Sequence, residues 1–258
     1  MQAALQPTDR VALVTGGARR IGAAIVRGLT QSGYAVAIHA HRSGAQADAL
    51  RAEIEAAGGR AAVVIADLAD HAAVTPLIGA AVAAWGPLTL LVNNAGEFET
   101  DAFGALERER VERQFAVNLW APLFLAQAFA AQARRDDDAS IVNVIDQRVF
   151  RPTPRFFSYT LAKSALHTAT TTLAQALAPH IRVNGVAPGP TLPSPRQDAE
   201  SFARQARLVP LGRGPSPDEI AEAVLYLAHA SSVTGVTIAV DGGQHIAWQT
   251  PDAAGVDE

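Results

Sequence analysis

The stretch V-A-L-V-T-G-G-A-R-R-I-G, residues 11–22, decides the fold. Val11 to Val14 is a short apolar run of the kind that forms a strand buried on both faces. It leads into Gly16 and Gly17 and then, past Arg19, Arg20 and Ile21, to Gly22, so the chain can turn tightly there. An amphipathic helix is predicted from about Ile21 to Gln31, stopping at Ser32-Gly33, and Tyr34 to His39 reads as a second strand. Strand, glycine-rich turn, helix and strand are the start of a βαβ unit.

Outward from that unit the alternation continues. Helices are predicted at about 45–57, 72–85, 106–134, 198–207 and 216–230, with a further one carrying Tyr159 and Lys163 to about 178. Strands are predicted at 60–66, 88–92, 140–145, 181–186 and 236–240. Seven strands alternating with helices predict an α/β fold, a Rossmann-type doubly wound parallel sheet with helices on both faces. No linker or composition shift divides the chain, so 1–248 is expected to be a single domain and 249–258 a C-terminal tail.

Of the 258 residues 49% are hydrophobic and 18% charged, and the net charge is −4. That composition suits a full-sized core and carries no electrostatic footprint for nucleic acid or an anionic membrane. There is no cysteine, which excludes disulfides, thiol nucleophiles and Cys-ligated zinc. Residues 1–10 lack the basic start and apolar core of a signal peptide, and no run approaches the 18 apolar residues of a membrane span. A cytoplasmic protein acting on a small molecule, with no metal site, is the expectation.

In a doubly wound sheet a dinucleotide lies across the carboxyl ends of the strands, its pyrophosphate over the glycine-rich turn and the free N–H groups of the next helix. The spacing here, G-G-x-x-x-x-G, differs from the usual fingerprint, so the strand–turn–helix context carries the reading. After strand two, an acidic residue would accept from the ribose hydroxyls of NAD. This chain has His39-Ala40-His41-Arg42-Ser43 instead, and a guanidinium, a hydroxyl and a loop amide suit a 2′-phosphate. NADPH is therefore predicted. Asp67-Leu68, after strand three, is placed either to meet an adenine edge or to cap the next helix. Asn93-Asn94-Ala95-Gly96, after strand four, either lines the crevice beside the nicotinamide ribose or forms a turn. Asn118 lies within an apolar helix, where its amide needs partners. It either bonds backbone and holds water near Lys163, or kinks the helix.

The chemistry is expected in N-V-I-D-Q-R-V-F-R-P-T-P-R-F-F-S-Y-T-L-A-K, residues 143–163. Tyr159 and Lys163, four apart, share one face of a helix. A cation near a phenol favours the phenolate and would lower the tyrosine pKa towards the range of a working acid or base. Asp146 stands thirteen residues before Tyr159, at the end of the apolar run Ile141–Ile145. A strand-end carboxylate there either joins the chemistry or caps a loop.

Together T-G-G-A-R-R-I-G, N-N-A-G, the helical Asn118, Y-T-L-A-K and Pro188-Gly189 after strand six resemble the short-chain dehydrogenase/reductase family, in order over about residues 9–245. The resemblance implies Tyr159 as proton donor, Lys163 as ligand of the nicotinamide ribose and tuner of the tyrosine, and Asn118 as an anchor for water or backbone. It also implies a homotetramer built on the helices at about 106–134 and 156–178, with Trp120 and Phe124 at that interface or in the core. One position departs from the pattern. Asp146 stands where the family has a serine that polarises the substrate carbonyl, and an ionised carboxylate cannot donate that hydrogen bond.

A branch of the family with aspartate there, the pteridine reductases and bacterial dihydromonapterin reductases, is similar in more than this residue. The stretch Gly33 to Ser43 resembles the branch's approach to its NADPH phosphate site. The likeness implies that Arg20 bridges pyrophosphate and pterin, that Phe98 stacks the pterin against the nicotinamide, and that Thr191 contacts cofactor or substrate. Gly96 departs from the serine of the parasite enzymes. The implied activity is NADPH-dependent reduction of a dihydropterin, with dihydrofolate as a further candidate substrate. Asp146 would donate if protonated and accept if ionised, and both states stay open. The Pro-rich loop 190–196, within a lid region spanning 190–212, has Leu192 as a candidate substrate contact. Phe150, Arg151, Phe156 and Phe157 are further candidate walls. Arg148 and Arg151 read as solvated side chains in preference to partners of a folate glutamate. Two other readings stand beside the pteridine one, a ketoreductase of another substrate class and a non-catalytic NADPH-binding sensor.

Overall fold

The computed structural model describes residues 10–134 and 137–248. The predicted tail therefore lies outside the described residues. Seven parallel strands form one sheet in the order β3-β2-β1-β4-β5-β6-β7. They are β1 Val11–Val14, β2 Ala35–Ala40, β3 Arg60–Ile65, β4 Leu90–Asn93, β5 Ala139–Val144, β6 Ile181–Pro188 and β7 Thr237–Val240. Every residue of β1, β2, β4, β5 and β6 is buried, whereas the edge strand β7 is half-buried throughout and β3 mostly so. This is why the central strands read as unbroken apolar runs with no alternation: helices cover both of their faces. Each fully buried Val, Leu or Ile contributes roughly 1.5–3 kcal/mol over an exposed one.

On one face lie α1 Arg20–Gln31, α2 Gly44–Ala56 and α8 Pro217–His229, which meet the sheet through Ile25, Leu50 and Val224. On the other lie α3 His71–Trp85, α5 Ala121–Gln132 and α6 Phe157–Leu177, which bury Leu77, Phe129 and Ala174. Between β6 and α8 lies α7 Ala199–Arg207, which has no buried residue.

The long helix expected over 106–134 is modified. It runs as α4 Arg108–Phe115, a π-helical turn Ala116–Trp120 and then α5. Asn118, at the centre of that turn, donates from Nδ2 to the carbonyls of Gln114 and Glu97, both at 2.9 Å, and its Oδ1 accepts from the Glu97 N–H at 3.2 Å. An amide that bonds the carbonyl four residues back loosens the helical ladder there. The backbone-bonded amide and the distorted helix, each taken from one of the two readings of Asn118, occur together. The run Arg108–Gln132 is long and apolar enough to cross a membrane by length and composition, but 56% of its most apolar window is buried inside the fold, as in a core helix.

Strand order reverses between β1 and β4, where crossovers leave on opposite faces and open a crevice at the carboxyl ends. Every sequence-predicted site residue lies at or beside those ends.

Candidate active site

Two adjoining cavities occupy the crevice, and Arg20, Ile21, Asn94 and Gly96 line both. The first runs from the glycine-rich turn past the end of β2 to Asp67 and Leu68. Its floor is set by glycine. Gly16 sits in the left-handed region at φ 61°, and a Cβ on Gly22 would stand 2.2 Å from the Gly16 carbonyl oxygen. Asn94 ties the turn from the other side, donating to the carbonyls of Thr15 and Gly16 at 2.8 and 3.2 Å. The N-terminus of α1 has no side-chain cap and no acidic residue in its first turn, so its N–H groups and partial positive charge face the cavity uncompensated. Arg19 and Arg20 add full charges there, Arg20 from a left-handed backbone at φ 56°.

At the far end, Ser43 holds the N-cap position of α2, yet its hydroxyl caps nothing. His41, Arg42 and Ser43 line the cavity together. Asp67 does not cap α3, because Asp70 does so by accepting from the Ala72 N–H. Instead Asp67 accepts from the Ala69 N–H at 3.0 Å and from Arg113, and it stands 3.7 Å from His41. Arg113 also pairs with Glu97 at 2.6 Å, and against the partial burial that raises it Asp67 is held below the usual carboxylate range by the Ala69 N–H and then by this guanidinium. A bare turn, uncapped N–H groups, two arginines and an unused serine hydroxyl fit a phosphorylated dinucleotide. Gly16, Arg19, Arg20, Ile21 and Gly22 would hold its pyrophosphate, and Arg42 with Ser43 a 2′-phosphate.

The second cavity contains Asp146, Tyr159 and Lys163. The Tyr159 hydroxyl donates to Asp146 Oδ2 at 3.0 Å. Asp146 Oδ1 accepts from the Arg148 N–H at 2.8 Å, capping the turn Gln147–Val149, and the Arg148 guanidinium stands 3.2 Å from Oδ2. Asp146 thus caps the loop and at the same time holds the Tyr159 hydroxyl. Lys163 is buried, and Nζ donates to the Val144 carbonyl at 2.8 Å. Its distance to the Tyr159 ring centre is 6.0 Å. Burial pushes Lys163 down from 10.5 to about 8. Burial, and then the charge of Asp146, push the Tyr159 phenol well above its ordinary 10. The expectation that Lys163 lowers the tyrosine is therefore corrected for the protein without cofactor. Desolvation of a buried phenol beside a carboxylate outweighs a cation turned towards a backbone carbonyl, and Tyr159 is a protonated donor at neutral pH.

Phe98 forms a wall of this cavity. Its ring stacks on Phe156 at 4.0 Å and 14°, and meets Tyr159 edge-on at 4.8 Å. Arg148 and Arg196 stand over the same two rings, at 5.1 and 5.4 Å and at 5.6 and 5.8 Å from their centres. Arg148 is therefore not the solvated side chain expected from sequence; it is 21% exposed and joins the carboxylate to the aromatic wall. Arg151, Phe156 and Leu192 line the cavity as expected, as do Pro188, Gly189 and Thr191. Phe150 packs on His167 and His245, and Phe157 packs against Phe103, so neither is a wall. The Thr191 hydroxyl donates to the Gly189 carbonyl at 3.1 Å. From the Pro-rich loop 190–196, Arg196 donates to the Phe98 carbonyl and pairs with Glu99, while Arg20 donates to the Leu192 carbonyl at 3.2 Å.

Two residues of the site, Arg113 and Asp101, went unread in the sequence, and His39 was read there only as a member of the run 39–43. Arg113 links two carboxylates of the first cavity. Asp101, 5% exposed, accepts the Ser158 N–H on both oxygens, while its carbonyl accepts from Phe156 and so fixes the start of α6 and the height of Tyr159. His39 lies beneath the glycine turn. None carries a spacing signal; each is recognisable only through contacts far apart in the chain.

Residues 10–203 match the family model for short chain dehydrogenase. The chain belongs to the short-chain dehydrogenase family. A crystal structure of FolM alternative dihydrofolate reductase 1 from Brucella canis complexed with NADP superposes with a TM-score of 0.94 at 50% identity, covering 98% of this chain and 100% of that one. Pteridine reductase 1 of Leishmania tarentolae is 34% identical over 281 residues, covering 92% of this chain and 96% of its own length. L-rhamnose 1-dehydrogenase (NAD(P)(+)) of a Sphingomonas strain is 36% identical over 249 residues, covering 93% and 98%. As a short-chain dehydrogenase, this protein is an oxidoreductase that uses a nicotinamide cofactor.

Proposed function

We propose that the protein reduces a dihydropterin with NADPH. The observation that carries this reading is the Asp146 carboxylate, which accepts the Tyr159 hydroxyl beside the Phe98 wall. A C=N bond in a flat heteroaromatic ring requires a hydride on carbon and a proton on nitrogen, and bound NADPH would supply the hydride. Phe98 offers an aromatic face for the ring. Tyr159 delivers the proton to the ring nitrogen, and Asp146, which already accepts that hydroxyl, orients it and relays protons from water. Arg148 keeps Asp146 in place. Lys163 anchors the cofactor ribose, and Asn118 fixes the Glu97–Phe98 backbone. An ordinary ketone reductase is disfavoured, because a carboxylate in the serine position would repel an oxyanion forming there.

The likeness to a reductase complexed with NADP supports the phosphate reading at His41, Arg42 and Ser43. Arg42→Asp should raise the KM for NADPH by at least about tenfold and lower the preference over NADH, measured as the ratio of kcat/KM values. An unchanged ratio would place the phosphate elsewhere.

Dihydrofolate is a second candidate substrate. Arg151 and Arg155 line the cavity mouth without a carboxylate partner among the described residues, and both suit an anionic tail. NADPH oxidation should be compared for 7,8-dihydrobiopterin, dihydromonapterin, dihydrofolate and a simple β-ketoester. Turnover of the ketoester alone would sink the pterin reading, and tight NADPH binding without turnover would favour a sensor. The lid at 190–212, a homotetramer and a cytoplasmic location complete the proposal.

A further inference from the structure

His39, on β2, is 2% exposed, and no step of the reaction uses it. Its contacts converge on the glycine-rich turn. The ring Nδ1 accepts from the Gly16 N–H at 3.0 Å, so that nitrogen carries no proton. Nε2 lies 3.1 Å from the Ala66 carbonyl, which can only accept, so the proton sits on Nε2. The His39 carbonyl accepts from the Gly17 N–H at 2.9 Å. One residue thus ties the carboxyl ends of β1, β2 and β3 together beneath the cavity it helps to line. Its neighbours on β2, Ala35 to Ile38 and Ala40, are all small or aliphatic, so packing alone does not call for a polar ring.

We propose that His39 is a positioning residue for the dinucleotide: the neutral, Nε2-protonated ring holds Gly16 and Gly17 in the shape that receives the pyrophosphate. This rests on the nicotinamide-cofactor reading of the first cavity, and it applies to either form of the dinucleotide because it concerns the turn beneath the pyrophosphate. Protonation would place an N–H on Nδ1 against the Gly16 N–H, donor against donor, and release the turn. The charged and titratable groups nearby are Arg19 and Arg20 from the turn, His41 just past β2, and Asp67 beyond β3, itself paired with Arg113. Burial dominates and keeps His39 below its ordinary 6.5, so the neutral ring prevails at neutral pH.

The test is titration of the full chain with NADP⁺ and with NAD⁺ by calorimetry between about pH 5 and 8, in wild type, His39→Leu and His39→Asn. Leucine fills the space but leaves the Gly16 N–H buried and unpaired, and it should weaken binding roughly tenfold or more at pH 7. Turnover at saturating cofactor should stay within about twofold. Asparagine can place an amide oxygen near the site of Nδ1 without titrating. It should restore affinity to within about threefold and remove the acid weakening that remains in wild type after ligand protonation, common to both proteins, is subtracted. Wild-type affinity in the leucine variant, or the same pH course in wild type and His39→Asn, would overturn the proposal. The second comparison decides even if His39→Leu does not fold. Wild type binding NAD⁺ alone would overturn the 2′-phosphate reading and leave this test intact.

Discussion

Asp146→Ser is expected to lower kcat for dihydropterin reduction by about 100-fold with little change in the KM for NADPH. Serine restores the hydroxyl common in the family and can still cap the turn at Gln147 by accepting the Arg148 N–H, so the local backbone should persist. What it removes is the carboxylate that accepts the Tyr159 proton and pairs with Arg148. A hydroxyl neither relays a proton as a carboxylate does nor neutralises the guanidinium above Phe98 and Phe156. The matching gain is a test in the opposite direction: a simple carbonyl substrate should be reduced faster by the variant than by wild type. Steady-state kinetics on both substrates checks the pair, and undiminished pterin turnover would remove the main support for the pteridine reading.

Lys163→Met should reduce kcat/KM by about 1,000-fold while making the cofactor-free protein more stable. The activity loss follows from the proposed ribose contact. The stability gain follows from the electrostatics of the site. A lysine shifted from 10.5 to about 8 by burial carries a desolvation penalty of roughly 3 kcal/mol at neutral pH, which its bond to Val144 does not remove. Methionine fills similar volume without a charge, so unfolding at pH 7 should require about 1–3 kcal/mol more. The pH dependence has a definite sign. Between about pH 8 and 10.5 the folded lysine is neutral while the unfolded one still binds a proton, so wild-type stability gains over that window. The advantage of the methionine variant should therefore shrink as pH rises through it. Denaturant unfolding at pH 7 and 10 measures both points, and a variant less stable than wild type at pH 7 would contradict the assigned burial cost.

The sheet was legible in the sequence because buried parallel strands are unbroken apolar runs between glycine-marked turns, as at Val11–Val14 and Ile141–Ile145. The candidate reaction centre was legible because Tyr159 and Lys163 lie one helical turn apart and Asp146 follows closely on the end of β5. Arg148 was misread since an arginine two residues past a carboxylate looks solvated until the chain folds it over Phe98 and Phe156. Arg113 and Asp101 were missed for a related reason. Their partners, Asp67 and Ser158, are 46 and 57 residues away, and no local periodicity marks such pairs. The direction of the Tyr159 shift was misjudged because spacing reports proximity to a cation but not the burial that opposes it.

The π-helical turn at Ala116–Trp120 acts as a change of reading frame within a helix. Each α-helical residue advances the side-chain direction by about 100°, so a turn wide by one residue rotates everything after it by about that amount. The polar α4 and the core-facing α5 are therefore phased separately, and a single amphipathic wheel drawn through both would misplace one of them. Deleting one residue within the turn would restore a regular ladder, but it would swing Leu125 and Phe129, both 0% exposed, away from the sheet. The wide turn lets one continuous helix present Asn118 to the backbone of the crevice and still lay its second half on the core.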